Sequence, residues 1–182
     1  MEERIIIAGS GGQGVLFLGK LIAYAGMVDG KEVTWFPSYG AEMRGGTANC
    51  TVVISPEMIG SPVVRNPHIL IAMNEASFQR FAGRLLPGGT LLYDSSFMNL
   101  PVPMTEIKAS GVPASDVAAS LRNTKAANMV LLGALIALTR TFSREAAIRT
   151  LEEMTPSHRR DALETNTELM RRGYHFIEDQ KN

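Results

Sequence analysis

RIIIAGSGGQGVLFLGKLIAYA, residues 4–25, is the stretch on which the fold turns. Ile5, Ile6 and Ile7 make an unbroken β-branched run, which suits a strand buried on both faces of a parallel sheet. GSGGQG follows at once and matches G-x-G-x-x-G, with Gly9, Gly11 and Gly14 able to turn the chain from strand into helix. The spacing predicts a helix over residues 15–27, because Val15, Leu18, Ile22 and Ala25 fall on one face. Amides at such a turn, with the helix N-terminus behind them, lack partners of their own and attract anions. The same glycines also serve close strand–helix packing with nothing bound, so both readings stand.

A nicotinamide or flavin site adds a second requirement, an acid roughly 20 residues downstream at the end of the second strand, where it holds the ribose. Here that strand reads KEVTWF and runs into Pro37; Asp29 and Glu32 lie at or before its start, and Phe36 stands where the acid belongs. The fingerprint starts well and fails in its second half. Tight NAD or FAD binding is therefore not expected.

With 182 residues, 45% hydrophobic and 20% charged, there is enough chain for one well-cored domain over residues 1–182. Eighteen basic residues balance eighteen acidic ones, so no basic surface for nucleic acid is indicated. Arg4 opens straight into the first strand with no leader-like pattern before it. The longest apolar stretch, AANMVLLGALIAL at residues 126–138, contains Asn128 and is too short to span a bilayer, so it reads as a buried helix. A soluble, cytoplasmic protein without membrane contact is expected. Cys50 is the single cysteine, whereas a structural zinc or iron–sulfur site takes about four ligands. It lies in the strand-like TANCTVVIS and reads as a small buried hydrophobe. His68, His158 and His175 are scattered without acids or cysteine at ligand spacing, so no metal site is expected.

Strands are predicted at residues 4–8, 32–36, 48–55, 69–73, 90–93 and 104–108, with a helix at 75–86 stopped by PGG. After Ala109 the strands run out. PASDVAASL, TKAANMVLLGALIALTR, SREAAIRTLEEM and HRRDALETNTELMRRGYHF read as helices, Ser143 being a plausible N-cap. Charges of both signs crowd into residues 143–182, which marks solvated helix faces. The expected class is α/β: a three-layer open sheet with a Rossmann-like glycine loop after the first strand and a helical C-terminal third. The helix at 15–27 is apolar on nearly every side, with Phe17, Leu21 and Met27 opposite the main face. Either this chain or a partner must cover it, so the isolated chain is expected to bind companions or form a homo-oligomer.

PSYGAEMRGGTANCTVVIS, from Pro37, is the second informative stretch. Pro37, Gly40, Gly45 and Gly46 make its first half turn-rich, and Ser38, Tyr39, Glu42 and Arg44 crowd it with polar groups. The loop leaves the carboxyl end of the second strand beside the glycine loop, the edge where open α/β sheets bind ligands. Arg44 could pair with a carboxylate or phosphate, or simply bridge to Glu42.

GSGGQGVLFLGKLIA, PSYGAEMRGGTANCTVVIS, NMVLLGAL and LETNTELMRRGY, in this order, resemble the gamma subunit of 2-oxoacid:ferredoxin oxidoreductases over nearly the whole chain. Related indolepyruvate oxidoreductase subunits usually carry a different second loop, so the pyruvate or 2-oxoglutarate branch fits better. The resemblance implies a complex that decarboxylates a 2-oxo acid on thiamine diphosphate and Mg2+. It implies electrons passed through iron–sulfur clusters to ferredoxin, with the acyl group transferred to coenzyme A. The only DG here is Asp29-Gly30, before a strand, so no thiamine diphosphate motif of GDG type is present. That chemistry is expected on alpha, beta and delta-type partner subunits, with no catalytic residue and no cofactor of its own in this chain. In single-chain relatives the equivalent domain is associated with the coenzyme A region. The resemblance thereby implies coenzyme A or inter-subunit contact at Gly11, Gly12, Gln13 and Gly14, and at Ser38, Tyr39, Gly40, Glu42, Arg44, Gly45 and Gly46. A free-standing nucleotide-binding protein and a non-enzymatic binding module are the rival classes.

Overall fold

In the computed structural model, residues 2–38, 47–100 and 106–181 are described. β1 (Glu3–Ser10) is the isoleucine run, and its residues from Ile5 to Ala8 are fully buried. Ile5 and Ile7 point into a core shared with helices, while Ile6 and Ala8 point into a second core on the opposite face. Burial on both faces is why the run does not alternate with polar residues. α1 (Val15–Val28), β2 (Glu32–Ser38), β3 (Thr47–Ser55), β4 (Ile69–Ala72), α2 (Glu75–Phe81) and β5 (Thr90–Asp94) follow. β6 (Lys108–Val112), α3 (Ala114–Ser120), α4 (Ala127–Thr139), α5 (Arg144–Met154) and α6 (Arg160–Asp179) complete the order.

The six strands form one mixed sheet in the order β2-β3-β1-β4-β5-β6. β1, β4, β5 and β6 run parallel to one another, whereas β3 is antiparallel to both β1 and β2. β2 is not next to β1, because β3 folds back between them as the return arm of a hairpin. The two loops still leave the same end of the sheet: Ser10 is level with Thr47, and Ser38 with Asn49.

The sixth strand, expected at residues 104–108, lies at Lys108–Val112, with residues 104 and 105 of the expected span outside the described residues. Its register is tertiary in origin. Gly111 lies opposite Tyr93, and a Cβ there would stand 2.7 Å from the Tyr93 ring, so only glycine lets the ring cover the strand. α2 ends at Phe81 and passes into a 3₁₀ turn at Ala82–Arg84 short of the PGG stop.

The two faces are covered unequally. One carries α1, α4, α5 and α6, and α4 is buried throughout residues 127–137. The other is closed by Phe81 of α2, Val64, Met98 and Leu100. α1 is apolar nearly all round because the sheet takes one side and α5 another, burying Leu21 as well as Leu18 and Ile22. Phe17, Tyr24 and Met27 remain outside.

α4 and α6 cross at two glycines. A Cβ on Gly133 would lie 1.8 Å from the Met170 carbonyl oxygen, and one on Gly173 would lie 1.9 Å from that of Val130. Ser143 caps α5 by accepting from the Ala146 amide at 3.1 Å, and its own amide and hydroxyl each donate to Asp29 at 2.6 Å. Asp29 closes the carboxyl end of α1, so this one residue joins two helices.

Candidate functional site

The chain leaves β1 for the helical face through α1 and leaves the adjacent β4 for the opposite face through α2. Neighbouring parallel strands that part in this way open a crevice at their carboxyl ends. A cleft of about 280 Å³ lies there, bounded by Gly12 and Gln13 of the glycine turn, by Met73 and by the start of α3 and α4.

The turn is built by side chains that the glycine pattern does not reveal. The Gln13 Oε1 accepts from the Ser10 amide at 2.6 Å, and its Nε2 donates to the Met73 carbonyl at 3.1 Å. Asn74 donates to the Ser10 hydroxyl at 2.6 Å and accepts from the Ser77 amide at 2.8 Å, capping α2. Gln13 and Asn74 therefore lock the ends of β1 and β4 across the crevice. Asn74 went unnoticed in the sequence, although an asparagine ahead of EASF is an N-cap signal.

The four glycine-loop positions divide by role. Gly11 and Gly12 are exposed; Gly12 has φ of +93° with open space where a Cβ would stand. Gly14, at φ 74°, is the N-cap of α1, and a Cβ there would meet the Asn128 Nδ2 at 2.3 Å. That same Nδ2 donates to the Gly14 carbonyl at 3.3 Å, so buried Asn128 holds the turn from below. Gln13 lines the cleft with its side chain already engaged inside the chain.

The far wall is held by Asp94, fully buried at the end of β5. Its carboxylate accepts from the Ser115 hydroxyl at 2.6 Å and from the Ser96 and Ser115 amides at 3.1 and 3.3 Å. Ser96 in turn accepts from the Asp116 amide at 3.0 Å. These bonds fix the first turn of α3 against the sheet, which gives Asp94 a positioning role rather than that of a base. Phe97 and Lys125, both exposed, stand on the rim.

Ser38 is not brought into this cleft. It lines a separate hollow of about 170 Å³ with Phe36, Asn49 and Thr51, beyond β3. Tyr39, Gly40, Glu42, Arg44, Gly45 and Gly46 lie outside the described residues. Cys50 is fully buried with its Sγ 3.6 Å from the Val15 carbonyl oxygen, and burial pushes its thiol up to about 12. A thiol so disposed is no ligand for metal. Among the described residues, no three His, Cys, Asp or Glu are grouped to hold a metal ion, and no helix is long and apolar enough to cross a membrane. His68 accepts from the Arg4 amide at 3.1 Å, joining β1 to the start of β4.

Comparison with known proteins gives a consistent result. The pattern of the Pyruvate ferredoxin/flavodoxin oxidoreductase family matches residues 4–176. Ketoisovalerate oxidoreductase subunit VorA of Methanothermobacter thermautotrophicus is 39% identical over 172 residues, 94% of this chain. The chain spans only 36% of that protein's length. 2-Oxoglutarate synthase subunit KorC of Methanothermobacter marburgensis is 34% identical over 86% of this chain and 88% of its own. Among solved structures, the keto/oxoacid ferredoxin oxidoreductase gamma subunit of Geobacter sulfurreducens matches with a TM-score of 0.82 at 28% identity, over 96% of this chain and 98% of that one. The 2-oxoglutarate:ferredoxin oxidoreductase of Magnetococcus marinus, solved with 2-oxoglutarate, coenzyme A and succinyl-CoA bound, matches with a TM-score of 0.88 at 26% identity. That match covers 98% of this chain and 31% of the other.

Proposed function

The chain belongs to the pyruvate ferredoxin/flavodoxin oxidoreductase family, and from that premise we propose that it is the gamma-type subunit of a 2-oxoacid:ferredoxin oxidoreductase. The complex decarboxylates a 2-oxo acid oxidatively, yields the acyl-CoA and passes the electrons to ferredoxin. Its thiamine diphosphate, Mg2+ and iron–sulfur clusters belong to alpha, beta and delta-type partners in the cytoplasm. Within it this chain acts as one domain, residues 1–182, and moves no proton itself.

The observation that carries this reading is the family match across residues 4–176, which takes in both the glycine turn and the helical C-terminal third. The cleft supports a share in coenzyme A binding. Gly12, with open space where a Cβ would stand, leaves the turn open to close backbone approach beside exposed Gly11, and Lys125 offers a positive charge on the rim. Coenzyme A, when bound, supplies the thiol that takes the acyl group. Gly11, Gly12, Gln13 and Gly14 form the wall for it, with Gln13 acting by bracing the turn. Ser38, Tyr39, Gly40, Glu42, Arg44, Gly45 and Gly46 are proposed as the neighbouring edge, meeting either the cofactor or a partner subunit.

The test is co-expression of this chain with its companion subunits. Ferredoxin reduction should require coenzyme A, a 2-oxo acid and this chain together, with pyruvate, 2-oxoglutarate and a branched-chain 2-oxo acid tried in turn. Full turnover by a complex lacking the chain would sink the proposal.

A further inference from the structure

Lys125, in the short loop between α3 and α4, borders a second cleft as well as the one already described. This second cleft, of about 310 Å³, is lined by Gly14, Phe17 and three carboxamides, Asn123, Asn128 and Asn166. Phe17 comes from α1, Asn128 from α4 and Asn166 from α6. Asn128 is only 4% exposed, and its Nδ2 is taken by the Gly14 carbonyl. Its Oδ1 accepts nothing among the described residues, and the side chains of half-buried Asn123 and Asn166 make no hydrogen bonds there. A carboxamide oxygen held so deep without a partner costs stability, and that cost is recovered when a donor from outside reaches it.

We propose that this asparagine cleft is a docking groove for an extended, uncharged segment of a companion subunit, whose main-chain amides pair with Asn123, Asn128 and Asn166. The inference rests on the subunit reading above and not on where coenzyme A lies. Carboxamides donate and accept without charge, as peptide groups do. An extended segment presents its N–H and C=O groups to such partners, whereas a helix satisfies its own. Lys125 is the one charged side chain among the described residues that line the groove, so nothing there selects a strongly acidic or basic segment. Continuity decides between a partner chain and a small ligand. Phe17 both lines the groove and heads the exposed row that Tyr24 and Met27 continue along α1. A small amide-bearing molecule would fill the cleft and leave Tyr24 and Met27 bare, whereas a subunit seated in the groove covers all three.

The test is the affinity of the full chain for its co-expressed companion subunits, measured by sedimentation velocity or biolayer interferometry. Asn166→Leu keeps the bulk of the side chain and removes its hydrogen bonds. It should weaken association by about 5- to 150-fold, the range for a buried polar group left without its partner. Tyr24→Asp, outside the cleft, should weaken association by about 10-fold or more. Urea unfolding of both variants should match the wild type, and Asn123→Ala, in the loop ahead of α4, repeats the carboxamide loss away from any helix. Pantetheine, added in millimolar excess as a small amide-bearing competitor, should leave association unchanged. Wild-type affinity in either Asn166→Leu or Tyr24→Asp, or displacement of the companions by pantetheine, would overturn the groove while leaving the subunit's function intact. A wild-type chain that binds no companion would instead remove the reading beneath it.

Discussion

Gly14 answers to two constraints at once, one in its own backbone and one in its neighbour. Its φ of 74° lies where L side chains rarely go, and the Asn128 amide nitrogen occupies the place of a Cβ. Gly14→Ala should therefore cost about 2–4 kcal/mol, backbone strain and overpacking together, read from urea unfolding. Repeated in an Asn128→Ala background, the same change should cost only the backbone part, roughly 1 kcal/mol. Strict additivity of the two substitutions would show that the packing does not couple them. Cys50 makes a second prediction, through pH. Its folded-state thiol is raised from 9.0 to about 12 by burial. A raised folded value means that the unfolded chain loses its proton first. This group's contribution should be constant below about pH 9 and be lost progressively as pH climbs from there towards about 12. At pH 8 the folded protein should resist a thiol reagent that labels it fully in denaturant. Rapid stoichiometric labelling under native conditions would contradict the buried placement.

Among the elements, α4 and α6 depend on each other most directly. Gly133 and Gly173 let each helix lay its backbone against the other, with no room for a methyl group at either point. Gly133→Ala should separate the helices and destabilise by roughly 3 kcal/mol, despite alanine's better helix propensity. A neutral or stabilising result in a denaturant titration would mean that the crossing is looser than described. Both glycines fall in stretches by which the chain resembles its family, NMVLLGAL and LETNTELMRRGY. Part of that resemblance is therefore a packing signature rather than a ligand signature. A milder break is available at the α1–α5 junction. Ser143→Ala removes the cap of α5 and the hydroxyl's bond to Asp29 while the amide's bond stays, and a loss of about 1–2 kcal/mol is expected in thermal unfolding. A change below ~0.5 kcal/mol would show that Asp29 finds water as good a partner.

For the molecule as a whole, the outer side of α1 matters. Phe17, Tyr24 and Met27 follow one another along it and are 41%, 41% and 57% exposed. Apolar groups repeated along one helix face mark a surface that meets something else. The isolated chain should self-associate in light scattering or gain stability when companion subunits are added. A stable monomer indifferent to them would leave the stripe without a role. Purified alone, the chain should also absorb as plain polypeptide and carry no electrons, and a stoichiometric flavin or iron–sulfur band would refute that.

Several features are legible in the residues alone because they are local. The isoleucine run, the turn glycines, the Ser143 cap and the largely apolar α4 each follow from backbone preference or from burial on two sides, and both are written residue by residue. The glycine loop and the polar loop after Pro37 were rightly brought to one end of the sheet. The separation of β2 from β1 was not legible, because the insertion of antiparallel β3 between them is a matter of which strands pair, not of what either strand contains. For the same reason β6 was misplaced by four residues: Lys108–Val112 is a weak strand former whose register comes from Tyr93 on the neighbouring strand. The sequence by itself determined the elements, the α/β class and the likeness to a family. Tertiary structure decided that Gln13 clamps to Asn74, that Asn128 seats Gly14 and that Lys125 stands between two clefts, since each joins residues from different elements that only the folded sheet and its helices bring within reach.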